Sequence, residues 1–276
     1  MESRYRRLET FVADLLGQGR VAFLPEEALQ ATGFSRPVFL KSAQRLQKQG
    51  RLCLPRSGYY LIIPPQFRSW GAPPPEWFID DLMRREGQPY YVGLLKAAEL
   101  HGASHQAVME FQIVTPARLP KLHVGRTLIT FHYRRSLEKL ESAIMPRQTD
   151  TGSMRISSPE LTAFDLLRYP RATGGLENVF TVLTDFGSKL EGGRLAVLCP
   201  LFERTVRQRL GYLLQRAGYP GPAEVLEASL RHERTWQWKE LDPTLASDDP
   251  DLAPPVTERS SRWRLLVRRP PEADEK

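Results

Sequence analysis

The chain has 276 residues, of which 41% are hydrophobic and 26% charged, an ordinary balance for a globular protein with room for two domains. Its formal net charge of +7 fits a polyanionic partner. The sequence has no apolar run long enough to cross a membrane, and residues 1–20 lack the apolar core of a signal peptide. Cys53 and Cys199 each lie in an apolar run, as is typical of reduced, buried thiols. These features predict a cytoplasmic protein.

An amphipathic helix is predicted over residues 3–17, and the segment after it has a distinctive order of elements. Pro25 begins a helix, Gly33 supplies a tight turn, and Ser35 caps a second helix that stops at Gly50. The second helix is predicted to bury one apolar face, made of Val38, Phe39, Ala43 and Leu46.

A hairpin is predicted next, with strands at 51–54 and 59–63 around the turn 55–58. Two helices followed by a hairpin are typical of a winged helix-turn-helix, whose second helix enters the major groove of DNA. The charge distribution favours this interpretation, since residues 1–70 hold eleven Lys/Arg and five Asp/Glu, a net of 11 − 5 = +6. A basic helix face that is merely solvated is the alternative.

The DNA hypothesis assigns specific roles to the polar side chains of this segment. Arg36 and Gln44 are predicted to approach base edges, because bidentate side chains read bases in the major groove. The other basic residues are predicted to hold phosphates. The full set of predicted DNA-binding residues is Ser35, Arg36, Lys41, Gln44, Arg45, Lys48, Arg56 and Ser57.

The predicted fold class is α+β, with an N-terminal winged helix-turn-helix domain and a larger, mixed but mainly helical second domain. We assign residues 1–63 to the first domain. Residues 64–78 contain five prolines and are predicted to be a semi-rigid linker, docked through Trp70 and Trp77. Residues 79–276 form the second domain, in which the role of 240–276 stays open.

The second domain is predicted to alternate helices and strands. Helices are expected at 79–86, 90–102, 201–217 and 222–231, and strands at 109–115, 122–134 and 263–269. Another helix begins at a capping box formed by Ser157 and Glu160. The buried face of this helix is predicted to consist of Leu161, Phe164 and Leu167. The next helix is predicted to bury Leu176, Val179, Phe180 and Leu183.

No motif in the chain carries recognisable catalytic or cofactor chemistry. His101 and His105 are four residues apart, but Gly102 ends the predicted helix between them, and no further metal ligand follows. The paired glycines lack the Lys-Ser/Thr of a phosphate loop, and no serine or cysteine has a nucleophile setting. The sequence therefore predicts a protein that is not an enzyme and binds no metal or cofactor.

Several stretches resemble, in this order, the AbiEi-type antitoxins of bacterial type IV toxin–antitoxin (abortive infection) systems. They are GYYLIIPPQFRSWGAPP, GQPYYVGLLKAAELHGASHQ, FQIVT, GRTLITFHYR, SSPELTAFDLLRYPRATGGLENVFTVL and RQRLGYLLQRAG. The resemblance implies an N-terminal winged helix that represses its own operon and a C-terminal antitoxin domain. It also implies a neighbouring nucleotidyltransferase toxin, counteracted without a stable complex.

Two further interpretations are kept open. The first is a winged-helix transcriptional regulator that senses a small ligand in a concave apolar pocket between residues 90 and 230. The second concerns basic stretches in the C-terminal part, which are either solvated faces or a second nucleic-acid surface. That surface would consist of Arg134, Arg135, Arg204, Arg207 and Arg209.

Overall fold

The computed structural model describes residues 5, 7–103, 110–231, 237–247, 249 and 253–272. The N-terminal part contains helices followed by a hairpin, the order of elements expected from the sequence. Gly33, in the turn between the second and third helices, has the left-handed φ of 68° that favours glycine. The strands are antiparallel, in the order β1-β3-β2. The elements are α1 (Leu8–Gly17), β1 (Ala22–Phe23), α2 (Pro25–Thr32), α3 (Arg36–Lys48), β2 (Leu52–Arg56) and β3 (Tyr59–Ile62).

An aromatic cluster forms the core of this part. The ring of Tyr60 on β3 stacks on Phe23 at 5.4 Å between centroids, and Phe39 of α3 meets it edge-on at the same distance. Phe11 of α1 packs edge-on against Phe23. Such pairs add about 0.5–1.5 kcal/mol beyond the burial of their area. Phe39 is fully buried, so it fixes which face of α3 points inward.

One member of the predicted buried face of α3 is placed wrongly. Phe39, Ala43 and Leu46 are buried, whereas Val38 is 48% exposed. At about 100° per residue, Val38 lies a full 100° from Phe39 and turns away from the core. The next residue, Leu40, is also exposed. α3 therefore shows apolar as well as basic side chains to solvent.

The proline-rich segment 64–78 is ordered by specific contacts. It forms two short 3-10 helices, Pro65–Phe67 and Pro75–Trp77, whose aromatic rings meet edge-on at 5.1 Å. Trp77 also donates from its indole nitrogen to Asp150 Oδ2 at 3.0 Å. The docking predicted for Trp77 is present, while the side chain of Trp70 is 56% exposed.

A six-stranded sheet with both parallel and antiparallel pairs follows, in the order β6-β7-β5-β4-β9-β8. The fold is therefore α+β, and the expectation of a mainly helical second domain holds only in part. The single helix predicted over 90–102 is also wrong, since its start is a strand paired with a neighbour. The elements are α4 (Ile79–Arg85), β4 (Tyr91–Val92), α5 (Leu94–Leu100), β5 (Glu110–Thr115), β6 (Leu122–Val124), β7 (Thr127–Tyr133), β8 (Ile144–Thr149) and β9 (Gly152–Ser157).

The chain divides into two compact units, and the division differs from the predicted domains. The first unit comprises Met1–Val92, Met109–Leu137 and Pro146–Ile156. The second comprises Gly93–Val108, Glu138–Met145 and Ser157–Lys276. Most of the sheet thus groups with the N-terminal helices. The boundaries at residues 63 and 79 stay a prediction about independent folding.

The second unit is built mainly of helices around a central one. α6 (Pro159–Arg168) contacts α5, α7 (Leu176–Phe186), α8 (Gly192–Leu198) and α9 (Arg204–Arg216), and α10 (Pro220–Arg231) packs on α8 and α9. The N-cap of α6 is Ser158, whose Oγ accepts from the backbone nitrogen of Leu161. The capping box predicted from Ser157 is therefore wrong by one residue. Ser157 is fully buried and bonds the hydroxyl of Thr162 at 2.7 Å instead.

The predicted core of the second unit is confirmed with one exception. Phe164 is fully buried and its ring stacks on Phe202 at 4.3 Å between centroids. Leu176, at the start of α7, is only half-buried. The other predicted members are buried, namely Leu161, Leu167, Val179, Phe180 and Leu183.

The C-terminal residues close the second unit with a small sheet. β12 (Leu265–Val267) pairs with β10 (Lys239–Glu240) and β11 (Glu258–Ser260). The buried indole of Trp263 lies against the α9 backbone, where a Cβ at Gly211 would be 2.1 Å from its Cζ3 atom. Trp263 Nε1 also donates to Gln215 Oε1 at 2.6 Å. Residues after 240 thus complete a core.

We expect Phe164→Ala to lower the free energy of unfolding by about 3–5 kcal/mol, because it leaves a cavity under the stacked ring of Phe202. Urea unfolding followed by circular dichroism measures the loss. Val197→Ala is the matched control, since Val197 is 63% exposed and its truncation should change stability by about 0.5 kcal/mol or less. Equal effects of the two changes would contradict the central placement of α6.

We expect Gly211→Ala to destabilise the protein by about 1–3 kcal/mol, because the new methyl group overlaps the indole of Trp263. Thermal unfolding measures the loss, and the fluorescence of Trp263 should shift as its ring is displaced. The control is Gly193→Ala in α8, where a Cβ would meet no heavy atom of the described residues within 4 Å. That change should be neutral or stabilising by up to about 1 kcal/mol. A stable Gly211→Ala variant would contradict the close approach.

Candidate nucleic-acid interface

The outward face of α3 carries the residues predicted to meet DNA. Arg36, Lys41, Gln44 and Lys48 are all exposed. At about 100° per residue, Lys41, Gln44 and Lys48 share the side opposite buried Phe39. Within the part of the chain that the structure describes, no hydrogen bond or ion pair engages these four side chains. They are available to an external partner.

Ser35 occupies the N-cap position of α3, but its side chain makes no capping hydrogen bond. It is exposed, and so its hydroxyl is also available to a partner. The helix N-terminus next to it attracts phosphate groups, because its first backbone N–H groups have no partner within the helix. Ser35 is therefore placed where a phosphate contact is feasible.

Arg45 stands apart from the other cations of α3. It forms an ion pair with Glu9 of α1, and its own side chain is 58% exposed. An exposed pair of this kind is worth about 1 kcal/mol or less, so a phosphate can compete for the guanidinium. The acid nevertheless lowers the local positive potential. Lys41 and Lys48 are for this reason better placed than Arg45 to hold phosphates.

The hairpin tip is held by neighbouring elements of the first unit. Arg56 donates from Nη2 to the carbonyl of Pro120 at 3.2 Å, and its Nε lies 3.5 Å from Oε1 of Glu86. The carbonyl of Ser57 accepts from Nη2 of Arg85 at 2.6 Å. Arg56 is half-buried by these contacts, whereas Ser57 is exposed. The tip is thus a fixed feature next to α3, and Arg56 has a structural role there.

A pocket of about 280 Å³ lies between α3 and the hairpin. Its lining combines Arg36 with Leu40 of α3, Leu54 of β2 and Leu24, the residue before α2. All three leucines are at least 40% exposed. Burial raises the pKa of the Tyr60 hydroxyl at this pocket, while the charge of Arg36 acts in the opposite direction. None of the three is among the site residues predicted from the sequence, and Leu40, next to the predicted buried residue Phe39, is the one that a local signal could have marked.

The arginines proposed as a second basic surface are mostly engaged within the fold. Arg207 is buried and donates from Nη1 to the carbonyl of Ser229 at 3.1 Å. Arg209 donates from both Nε and Nη2 to the carbonyl of Glu240, and burial lowers its pKa. These two arginines therefore hold α10 and β10 against α9.

The other members of that proposed surface differ in exposure. Arg134, in the first unit, is only 7% exposed, and Arg204 is half-buried at the start of α9. Arg135 alone of the five is fully exposed. Arg134, Arg207 and Arg209 are buried or bond the protein's own backbone, and a second basic surface stays a prediction that rests on Arg135 and Arg204.

The described residues hold no cluster of three or more His, Cys, Asp or Glu side chains arranged for a metal. His101 Nε2 lies 2.7 Å from the carbonyl of Ser157, and His105 lies outside the described residues. Burial raises the pKa of the Cys53 thiol to about 12, and it also raises that of Cys199. Neither thiol is poised for reaction at neutral pH. No described helix combines the length and hydropathy that a membrane span requires.

Comparison with known proteins finds a family model that matches the six-stranded sheet and the central helices. The model of the AbiEi antitoxin C-terminal domain matches residues 91–216, from β4 to the end of α9. The chain carries an AbiEi-type antitoxin domain. The resemblance found in the sequence is confirmed by this match, which covers the α6 segment and the Tyr91–Gly102 stretch on which it rested.

A solved structure is similar over nearly the whole length. The crystal structure of the RV2827C protein from Mycobacterium tuberculosis superposes with a TM-score of 0.69 at 17% identity. The match covers 94% of this chain and 90% of that one. It shows that the order of elements, N-terminal part included, occurs in another protein. A search of curated proteins found no match.

We expect Lys41→Ala with Lys48→Ala to flatten the salt dependence of DNA binding, because each lost phosphate contact lowers the log–log slope by about 0.9. Fluorescence anisotropy titrations of the upstream DNA at several salt concentrations measure the slope, which should fall by about 2. The control is Lys139→Ala with Arg171→Ala, two exposed cations of the second unit. An unchanged slope in the α3 variant would remove both lysines from the interface.

Proposed function

We propose that this protein is a DNA-binding antitoxin that represses its own operon and counteracts a nucleotidyltransferase toxin encoded beside it. The N-terminal part would act as a winged helix-turn-helix, with α3 in the major groove of double-stranded operator DNA. The AbiEi-type domain at 91–216 supports the antitoxin half of this proposal. We further propose that the protein acts by binding and not by catalysis.

The observation that carries the DNA-binding half is the free polar face of α3. The buried residues Phe39, Ala43 and Leu46 lie on one side of α3, which leaves most of its circumference for a partner. Lys41 and Lys48 supply charge for phosphates, and Gln44 between them matches the donor and acceptor pair of adenine. Next to this helix, the hairpin tip exposes the side chain of Ser57, which would contact the DNA backbone.

Autorepression follows if the operator lies in the promoter of the antitoxin and its neighbouring toxin gene. A repressor must distinguish its operator from other DNA, and this requires contacts to base edges as well as to phosphates. We assign base contacts to Arg36 and Gln44. Phosphate contacts are assigned to Lys41 and Lys48, with Ser35, Arg45 and Ser57 at the edges of the interface.

The antitoxin half involves the cognate toxin as a functional partner, and we propose that the two proteins form no stable complex. The ligand-sensing regulator remains the alternative. It would require a concave apolar pocket within residues 90–230. The depression at the start of α7 measures about 240 Å³. Its lining includes the polar residues Glu177, Asp242, Thr244 and Arg269, and so it does not match the apolar pocket that a ligand sensor requires.

The decisive experiment measures repression and toxin rescue on the same variants of the full-length chain. A reporter driven by the upstream promoter gives repression, and co-expression with the neighbouring toxin gives rescue. Equal binding of the wild-type protein to its promoter and to shuffled DNA would contradict autorepression. Growth arrest by the toxin despite normal antitoxin levels would contradict the antitoxin half.

We expect Gln44→Ala to weaken promoter binding by about tenfold or more, because a bidentate base contact contributes about 1–3 kcal/mol of discrimination. Binding to shuffled DNA should change little, so the ratio of the two affinities falls. Rescue from the toxin should be unaffected, since Gln44 lies outside the AbiEi-type domain. The control is Gln66→Ala, because Gln66 is exposed. Gln215 does not serve as a control, since it accepts a hydrogen bond from Trp263. Loss of rescue in Gln44→Ala would show that the two activities are not separable.

A further inference from the structure

The interface around α3 exposes an unusual amount of apolar surface for a basic helix. Eight large hydrophobic side chains are exposed among the described residues, and four of them lie here. Large exposed apolar side chains that occur together mark a binding surface more often than singly scattered ones do. We call these four residues the apolar rim, which consists of Leu24, Val38, Leu40 and Leu54.

The positions of Val38 and Leu40 on α3 relate the rim to the polar face. Residues two apart on a helix are separated by about 200°, so these side chains lie on opposite flanks. The arc between them carries Gln44 and Lys41. A binding partner that contacts Lys41 and Gln44 therefore has Val38 on one side and Leu40 on the other.

Leu40 has a defined apolar environment on its own flank. It lines the pocket with Leu54 and Leu24, and the aromatic ring of Tyr60 completes the wall. Arg36 at the same pocket is free of hydrogen bonds and ion pairs in the described part of the chain, and Arg85 is held by the Ser57 carbonyl. The rim is thus bordered by cations, which favours an anionic partner that also presents small apolar groups.

Double-stranded DNA has this combination in its major groove. Thymine is the base that presents a methyl group there, and aliphatic side chains contact that group. We propose that Leu40 and Val38 read thymine methyl groups, so that operator recognition includes an apolar component as well as the polar contacts of Gln44. This inference rests on the proposed function, since it specifies the bases that the same face of α3 recognises.

The test replaces thymine by deoxyuridine in the promoter DNA. This change removes the 5-methyl group and keeps the Watson–Crick hydrogen bonds and the groove edges. We expect wild-type binding to weaken by about fourfold for each contacted methyl group. Substituting the thymines one position at a time locates those contacts. No protein variant is needed for this step, so misfolding cannot imitate the result.

A double-mutant cycle then assigns the effect to the rim. Leu40→Ala should weaken binding to thymine DNA by a similar factor and should no longer respond to deoxyuridine at the matching position. Its exposed side chain makes loss of folding unexpected, and circular dichroism verifies this. The control is Val197→Ala, an exposed apolar residue of the second unit, which should keep the full deoxyuridine effect.

The possible results separate this inference from the proposed function. If wild-type protein binds its promoter specifically but equally well with deoxyuridine, the thymine reading is overturned and DNA recognition stands. If Leu40→Ala stays as sensitive to deoxyuridine as the wild type, other residues read the methyl groups and the assignment is overturned. If Leu40→Ala instead turns a dimer into a monomer in sedimentation, with no deoxyuridine effect, the rim binds a second copy of the chain. Absence of any specific promoter binding overturns both proposals.

Discussion

The edge-on packing of Phe39 against Tyr60 is the constraint on which the candidate nucleic-acid interface depends. Because Phe39 is buried together with Ala43 and Leu46 on the same side, the rotation of α3 about its axis is fixed. That rotation leaves Lys41, Gln44 and Lys48 in solvent. The same constraint exposes Val38 and Leu40, since neither can turn inward without removing Phe39 from the core. The polar and apolar parts of the interface therefore share one cause.

A second constraint fixes the tip of the hairpin. Arg85 bonds the carbonyl of Ser57, and Arg56 bonds Pro120 and approaches Glu86. These contacts join the hairpin tip to residues far along the chain but within the same unit. A pre-positioned tip does not have to be ordered on binding, which lowers the entropic cost of association. Arg56, which composition suggested as a phosphate ligand, is here largely a structural residue.

Two arginines of the second unit stabilise its interior and are not part of a basic surface. The guanidinium groups of Arg207 and Arg209 donate hydrogen bonds to the carbonyls of Ser229 and Glu240, respectively. Buried arginines need such acceptors, because an unpaired buried charge is strongly destabilising. They fasten α10 and β10 to α9 next to the point where Trp263 lies on Gly211. The C-terminal residues are thereby part of the framework around the AbiEi-type domain.

Local signals in the sequence determined much of the chain. Pro25, Gly33 and Gly50 place the boundaries of α2 and α3 well, because helix caps and left-handed turns depend on neighbouring residues alone. Periodicity also identified the buried face of α6, and the family resemblance rested on that segment. Where the local sequence was compatible with both helix and strand, contacts with other elements of the fold decided the secondary structure. Tyr91 and Val92 read as helix by composition but pair as a strand with β5 and β9.

The tertiary structure decided which charged and apolar side chains are available to a partner. The sequence assigned Arg45 and Arg56 the same phosphate-binding role as Lys41, yet each of the two is engaged by a residue at least 36 positions away. Val38 gave the opposite error, since it was assigned to the buried face of α3 but is 48% exposed. Exposure depends on long-range packing, which no local pattern encodes. The sequence by itself therefore determined most of the elements and the resemblance to AbiEi-type antitoxins, while the fold decided which side chains a partner can reach.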